Sequence, residues 1–287
     1  TSMVYADKDE HHDSDKTAFQ KVKGELSVMV LGSGGPIATA EGRASAGYLI
    51  FTDGKPRILM DVGGGTYQRL AESGTNIKDL DIILLSHLHA DHTGDLTPVM
   101  KTIYFHNNLA RGQNPAVSGR TAPIRIWGPT STAVPRDTGK QGFYYPKQDG
   151  TDGPLVYPAT ADYVDGHYSI PKGGVERYLK AFVAGISDDN GPPVLPGESV
   201  SNFDYAATDL SSNVPEGVEE IVLDEGVGAE RLLITAIAVD HGPVPAVAFR
   251  VEYKGHTVVY SGDTGTKGNG FGKTNMTAIS NAADLLI

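Results

Sequence analysis

The stretch Ser86 to His92 reads SHLHADH and packs three histidines and an aspartate into six residues. It follows Asp81 to Leu85, DIILL, an apolar run short enough and β-branched enough to be a buried strand. The polar side chains therefore begin where the chain leaves the sheet, a place where they can converge. His87 and His89 are two apart and share one side if the strand direction persists. Asp91 and His92 follow on the turn into the next helix. Zinc prefers imidazole nitrogen and carboxylate oxygen, and a catalytic ion keeps one position open beside three protein ligands. Four such groups in one turn exceed what a single ion takes, so two neighbouring ions are expected. A lone His is by default a surface or structural residue; a cluster like this one, directly after an apolar strand, reads as a metal site.

Two further strand ends carry the same kinds of donor. Asp240-His241-Gly242-Pro243 closes the strand Leu232 to Val239, and Ser261-Gly262-Asp263-Thr264 closes the strand Thr257 to Tyr260. Either alone would pass for a turn, because Gly and Asp are ordinary turn residues. Beside the first cluster, His241 and Asp263 become the expected remaining ligands. Cysteine is absent, which removes thiol nucleophiles, disulfides and Cys-based zinc sites and leaves His and carboxylate to hold any metal. No G-x-S-x-G elbow, P-loop or G-x-G-x-x-G fingerprint is present, so serine hydrolase and nucleotide-binding readings lose their main support. His256 reads as a solvent-facing or strand-edge residue, and no spacing argument promotes His106 or His167.

Around these motifs, strands are expected at Leu26 to Leu31, Gly47 to Thr52, Arg57 to Val62 and Ala246 to Tyr253. Helices are expected at Thr66 to Ser73, Leu96 to Asn107 and Asn275 to Ala282. Strand groups separated by helices in both halves suggest an α/β sandwich with its chemistry at strand ends. From about 107 to 230 the text turns to Gly, Pro, Asp and Tyr, and although Ile124 to Trp127 looks like another strand, most of it reads as a large loop-rich insertion.

The sequence HxHxDH, followed by a strand-end His and then SGDT, resembles the metallo-β-lactamase fold superfamily. Within it, the similarity is to the branch of ribonuclease Z and related phosphodiesterases and arylsulfatases. The LGSGGP turn at Leu31 to Pro36 and the MDVGGGT turn at Met60 to Thr66 match that branch too. The resemblance covers about Leu26 to Asn107 and Arg231 to Ile287 and leaves the middle third unmatched. It implies a four-layer αββα sandwich over residues 21–287, behind a flexible segment at 1–20. It also implies that His87, His89 and His241 hold one zinc, that Asp91 and His92 hold a second, and that Asp263 bridges the two. A water between two such ions loses its proton near neutral pH and becomes the nucleophile. Asp91 beside it would then be the general base or proton relay.

The expected activity is zinc-dependent hydrolysis of a small ester, a phosphodiester or sulfate ester ahead of a lactone or β-lactam. A ribonuclease Z-like endonuclease and a non-catalytic metal-binding relative are the alternatives, since fold alone does not choose a substrate. Two departures bear on this. The family supplies one more His just after the strand at Ala283 to Ile287, where this chain stops, so a C-terminal part is expected beyond Ile287. His241 and Asp263 are only 22 positions apart, which leaves no room for the tRNA-gripping arm of bacterial ribonuclease Z. A net charge of −11 likewise disfavours extended nucleic acid and favours a small-molecule substrate. No run is long enough to span a bilayer, 287 residues suffice for a core without staples, and both compartment and oligomeric state stay open.

Overall fold

The computed structural model describes residues 22–37, 42–75, 77, 80–103, 123–134, 155–169, 171–177, 205–212, 218–265 and 271–287. The first sheet contains six strands in the order β1-β2-β3-β4-β5-β8. These are β1 (Leu26–Gly32), β2 (Gly47–Thr52), β3 (Lys55–Met60), β4 (Ile82–Leu84), β5 (Ile124–Pro129) and β8 (Tyr205–Leu210). The second sheet has the order β13-β12-β11-β10-β9. It is built from β9 (Glu220–Glu225), β10 (Leu232–Ala238), β11 (Val247–Tyr253), β12 (His256–Tyr260) and β13 (Leu285–Leu286). A small ribbon pairs β6 (Thr132–Val134) with β7 (Leu155–Tyr157). The helices are α1 (Thr66–Glu72), α2 (Ala90–Thr93), α3 (96–103), α4 (Thr160–Tyr168) and α5 (Phe271–Ile279).

Side-chain alternation along each strand sorts the apolar residues into three layers. Ile50, Ile58, Met60, Ile82 and Leu84 of the first sheet meet Ile234, Val247, Phe249, Val251 and Val258 of the second between the sheets. Their neighbours Leu49, Phe51, Leu59 and Ile83 point the other way, onto Leu70 of α1, Leu96, Val99 and Met100 of α3, and Val164 and Tyr168 of α4. On the far face of the second sheet, Ile237, Ala248 and Val259 pack on Ile279 of α5. Each large side chain fully buried in this way contributes roughly 1.5–3 kcal/mol of transfer free energy. The result is the expected αββα sandwich. β4 shows why its sequence lacks alternation: both its faces are covered, so all three residues are apolar.

Within the stretch 107–230, β5 stands where a strand is expected at Ile124 to Trp127; it pairs with β4 and carries β8 on its outer side, and β9 forms the edge of the second sheet beside β10. β8 and β9, YAATDL and EIVLDE, are six-residue strands of mixed polarity held by their neighbours rather than announced by a period. The last helix lies at Phe271–Ile279, about four residues before its expected start. The expected leading segment 1–20, His106 and the end of the helix at 104–107 fall outside the described residues.

Charged groups close the sandwich at the end where Asp81 enters β4. Arg57 reaches Asp81 at 3.0 Å and Glu225 at 3.3 Å, while Arg125 pairs with the same two carboxylates from β5. The site motifs all lie at the other end, after β3, β4, β10 and β12. None of the described helices is long and apolar enough to cross a membrane.

Candidate metal centre

The site is built around Asp61, which sequence reasoning did not single out beyond quoting its turn. Asp61 follows β3, is fully buried and has a left-handed backbone (φ 52°), a conformation Asp tolerates better than most residues. Its amide donates to the Leu84 carbonyl at 2.8 Å, tying it to the end of β4. Its carboxylate then collects the groups that follow β4. Oδ1 accepts the Ser86 amide at 2.7 Å. Oδ2 accepts the Ser86 hydroxyl at 2.7 Å and His92 Nδ1 at 2.6 Å, and also the Tyr260 hydroxyl.

This network fixes the tautomers of two histidines. A carboxylate only accepts, so His92 Nδ1 carries a proton and its Nε2 is left to face Asp91 Oδ2 at 3.5 Å and Asp263 Oδ1 at 3.4 Å. The Ser86 hydroxyl spends its one proton on Asp61, so at 3.1 Å it accepts from His87 Nδ1. His87 Nε2 therefore offers a bare lone pair. It lies 3.0 Å from His89 Nδ1, which is in turn 3.3 Å from His241 Nε2. His241 Nε2 is 4.0 Å from Asp263 Oδ2.

Electrostatics follow from this crowding. Burial, aided by the neighbouring imidazoles, holds His87 down at about 2, so it stays neutral. Burial also lowers His241. For His92 burial acts downward too, but the hydrogen bonds to Asp263 and Asp61 outweigh it and push the imidazole up to about 10. The same bond from His92 draws Asp263 down to about 2.

The structure thus brings all six expected ligands together. Two sets have donor atoms within 4.8 Å of one another: His87, His89 and His241, and His87, His92 and Asp263. Asp263 lies between His92 Nε2, 3.4 Å from its Oδ1, and His241 Nε2, 4.0 Å from its Oδ2; His87 is near the donors on both sides, and Asp91 stands beside His92. Imidazole and carboxylate donors gathered this closely fit a borderline divalent cation such as zinc, which would displace the proton that His92 Nε2 shares with Asp263. His87 and His92 form the buried floor, and His89, His241 and Asp263 rim the side open to solvent. His256 sits at the other end of β12, 3.4 Å from Glu25 and 3.8 Å from Asp284, and has no part in the centre. His167 packs against Tyr163 on α4, and burial lowers it.

Backbone proximity shapes the floor as well. Gly63 lies so close to the ligand loop that a Cβ there would sit 1.9 Å from the Asp91 carbonyl oxygen. Gly63→Ala is therefore expected to displace one of the two turns and to lower stability by about 1–3 kcal/mol, with metal uptake falling alongside. Urea unfolding and a metal titration of the variant check this; wild-type values in both would show that the turns yield freely.

Comparison with known proteins bears on the fold and the sequence as a whole. The family described as Anti-Pycsar protein Apyc1 matches residues 26–115. Ribonuclease Z of Mycolicibacterium gilvum is 29% identical over 240 residues, covering 83% of this chain. The chain spans 62% of that relative's length. Ribonuclease Z of Methanopyrus kandleri is 37% identical over 98 residues, 34% of this chain and 33% of its own. In structure, human tRNase Z, short form, superposes with a TM-score of 0.53 at 18% identity, over 90% of this chain and 76% of the other. The four layers, with the HxHxDH, strand-end His and SGDT motifs at one end of them, have the metallo-β-lactamase fold, and in sequence the chain is similar to ribonuclease Z.

Proposed function

We propose that the protein is a metal-dependent hydrolase of small phosphodiesters, with zinc as the metal. The observation that carries this reading is the pair of three-donor sets sharing His87, with a buried floor and a solvent-facing rim. On this reading His87, through its Nε2 lone pair, holds one ion with His89 and His241, and His92 and Asp263 hold a second with Asp91 alongside. Zinc bound there supplies positive charge that acidifies water and offsets the charge developing on the ester oxygen. The chain's own groups do the rest. Ser86 and Asp61 keep His87 and His92 with Nε2 presented to the site. Asp91, part-buried beside His92 Nε2, is placed to take a proton and pass it outward.

A second reading, an endonuclease acting on RNA, draws support from the relatives that bear the name ribonuclease Z. Against it stand the acidic balance and the short path from His241 to Asp263. The deciding experiment is turnover by zinc-loaded protein of an activated phosphodiester, an aryl sulfate, a lactone, a cephalosporin and a tRNA precursor. Preference for the diester supports the proposal, precise cleavage of the precursor favours the second reading, and no turnover of any of them sinks both.

Within the proposal, Asp263→Ala is expected to cost at least about a hundredfold in turnover, because the carboxylate belongs to the centre itself. His256→Ala, at the far end of the same strand, should change turnover less than about threefold, as a surface substitution. Equal losses in the two variants would overturn the assignment of Asp263.

A further inference from the structure

Tyr260 is an apolar-strand tyrosine that neither the motifs nor the proposed ligand sets use. It ends β12 at 4% exposure, and its ring packs against Tyr48 of β2 at 5.2 Å between centroids. Its hydroxyl donates to Asp61 Oδ2, the same oxygen that accepts His92 Nδ1 and the Ser86 hydroxyl. Asp61, Ser86 and His92 all follow strands of the first sheet, whereas Tyr260 belongs to the second. Three residues after it on the same turn comes Asp263, whose Oδ1 lies 3.4 Å from His92 Nε2. Gly262 in that turn, with φ 54°, packs so close to Ser86 that a Cβ would fall 2.6 Å from the Ser86 Cβ.

The set formed by His87, His92 and Asp263 thus draws its members from both sheets. Asp61 holds the His92 side, and the turn after β12 holds the Asp263 side. The Tyr260 hydroxyl joins one to the other through a single buried carboxylate. The set formed by His87, His89 and His241 has a different anchorage. His241 follows β10, where the preceding carbonyl of Asp240 accepts the Gly265 amide, and its Nε2 meets His89 directly.

We propose that Tyr260 is a positioning residue for one half of the centre: through Asp61 its hydroxyl sets the spacing and tautomer that let His92 and Asp263 act as ligands together. This rests on the metal-binding reading above. Removing the hydroxyl leaves the ring, its contact with Tyr48 and the bond from the Val247 amide to the Ser86 carbonyl, but cuts the side-chain tie between the sheets at Asp61, so the His92–Asp263 set loosens and the His89–His241 set does not.

The test is Tyr260→Phe, titrated metal-free with zinc against a chromophoric chelator, beside Tyr253→Phe as a control. Tyr253 likewise donates its hydroxyl to carboxylates, Asp53 and Glu230, but at the opposite end of the sandwich. Two ions on the wild type and on Tyr253→Phe, with the weaker of the two loosened about 10–100-fold in Tyr260→Phe and the tighter one kept, is the expected result. Thermal unfolding of the metal-free variants should show the same midpoint for Tyr260→Phe as for Tyr253→Phe within a few degrees. A collapsed midpoint in Tyr260→Phe alone would make the residue structural and overturn the proposal. Unchanged affinities for both ions, or equal loosening of both, overturn it as well. A wild type that takes up no tight zinc instead overturns the metal-binding reading on which it rests.

Discussion

Replacing His87 by Ala should remove tight metal from the His89–His241 half of the centre and lower turnover by at least about 10²–10³-fold. His87 presents a single lone pair, at Nε2, and among the described residues it lies within reach of the donors on both sides. His89 and His241 face each other, and His92 is committed through Nδ1 to Asp61, so none of them replaces it. The His89–His241 set would be left with two donors, fewer than a zinc site that also keeps an open position requires. The loss in rate is of the size found when a group that stabilises developing charge is removed. Elemental analysis after gel filtration reads the outcome. Loss of one of two equivalents is the expected result, and retention of two at wild-type affinity would remove His87 from the ligands.

Asp61→Ala should have the largest effect on the fold itself. The substitution leaves the Ser86 amide and hydroxyl, His92 Nδ1 and the Tyr260 hydroxyl without their acceptor in a region closed to water. An unsatisfied buried polar group costs about 1–3 kcal/mol, and these four are too close together to add independently. A loss of about 3–5 kcal/mol is therefore expected, comparable with the removal of one partner from a buried charged pair. Backbone strain makes a smaller contribution, since φ at position 61 is 52° and Ala is less tolerant of that conformation than Asp. Asp61→Gly separates the two effects: it relieves the backbone but not the missing acceptor, so it should recover only about 1 kcal/mol. Urea unfolding of the three metal-free proteins gives both numbers. A full recovery in the Gly variant would mean that strain, not hydrogen bonding, makes Asp61 necessary.

Both predictions turn on contacts between groups distant in sequence, and this is where reading the chain and folding it part company. The SHLHADH run was informative because its donors are local: strand geometry alone brings His87, His89, Asp91 and His92 to one sheet end. His241 and Asp263 were reachable for a similar reason, each being a donor placed directly after an apolar strand. Asp61 also follows such a strand, at the end of β3, but in the text it is one acid before a glycine turn, which looks like any other turn. Tyr260 looks like core, and most of its surface is.

What the amino-acid sequence determined by itself was the sandwich class and six polar side chains placed at strand ends, because strand periodicity and short-range spacing are encoded residue by residue. Only the tertiary structure showed that these six side chains lie at one end of the sandwich, with His87 near the donors on both sides, and that β8 and β9 complete the sheets. It alone also placed Asp61 under the centre, with Tyr260 reaching it from the opposite sheet. Those outcomes depend on which strands lie side by side and on which lone pairs remain after buried donors have found acceptors. Both are settled by packing across the whole chain, where mixed-polarity strands gain order from their neighbours and a buried carboxylate gains its role from the four groups that donate to it.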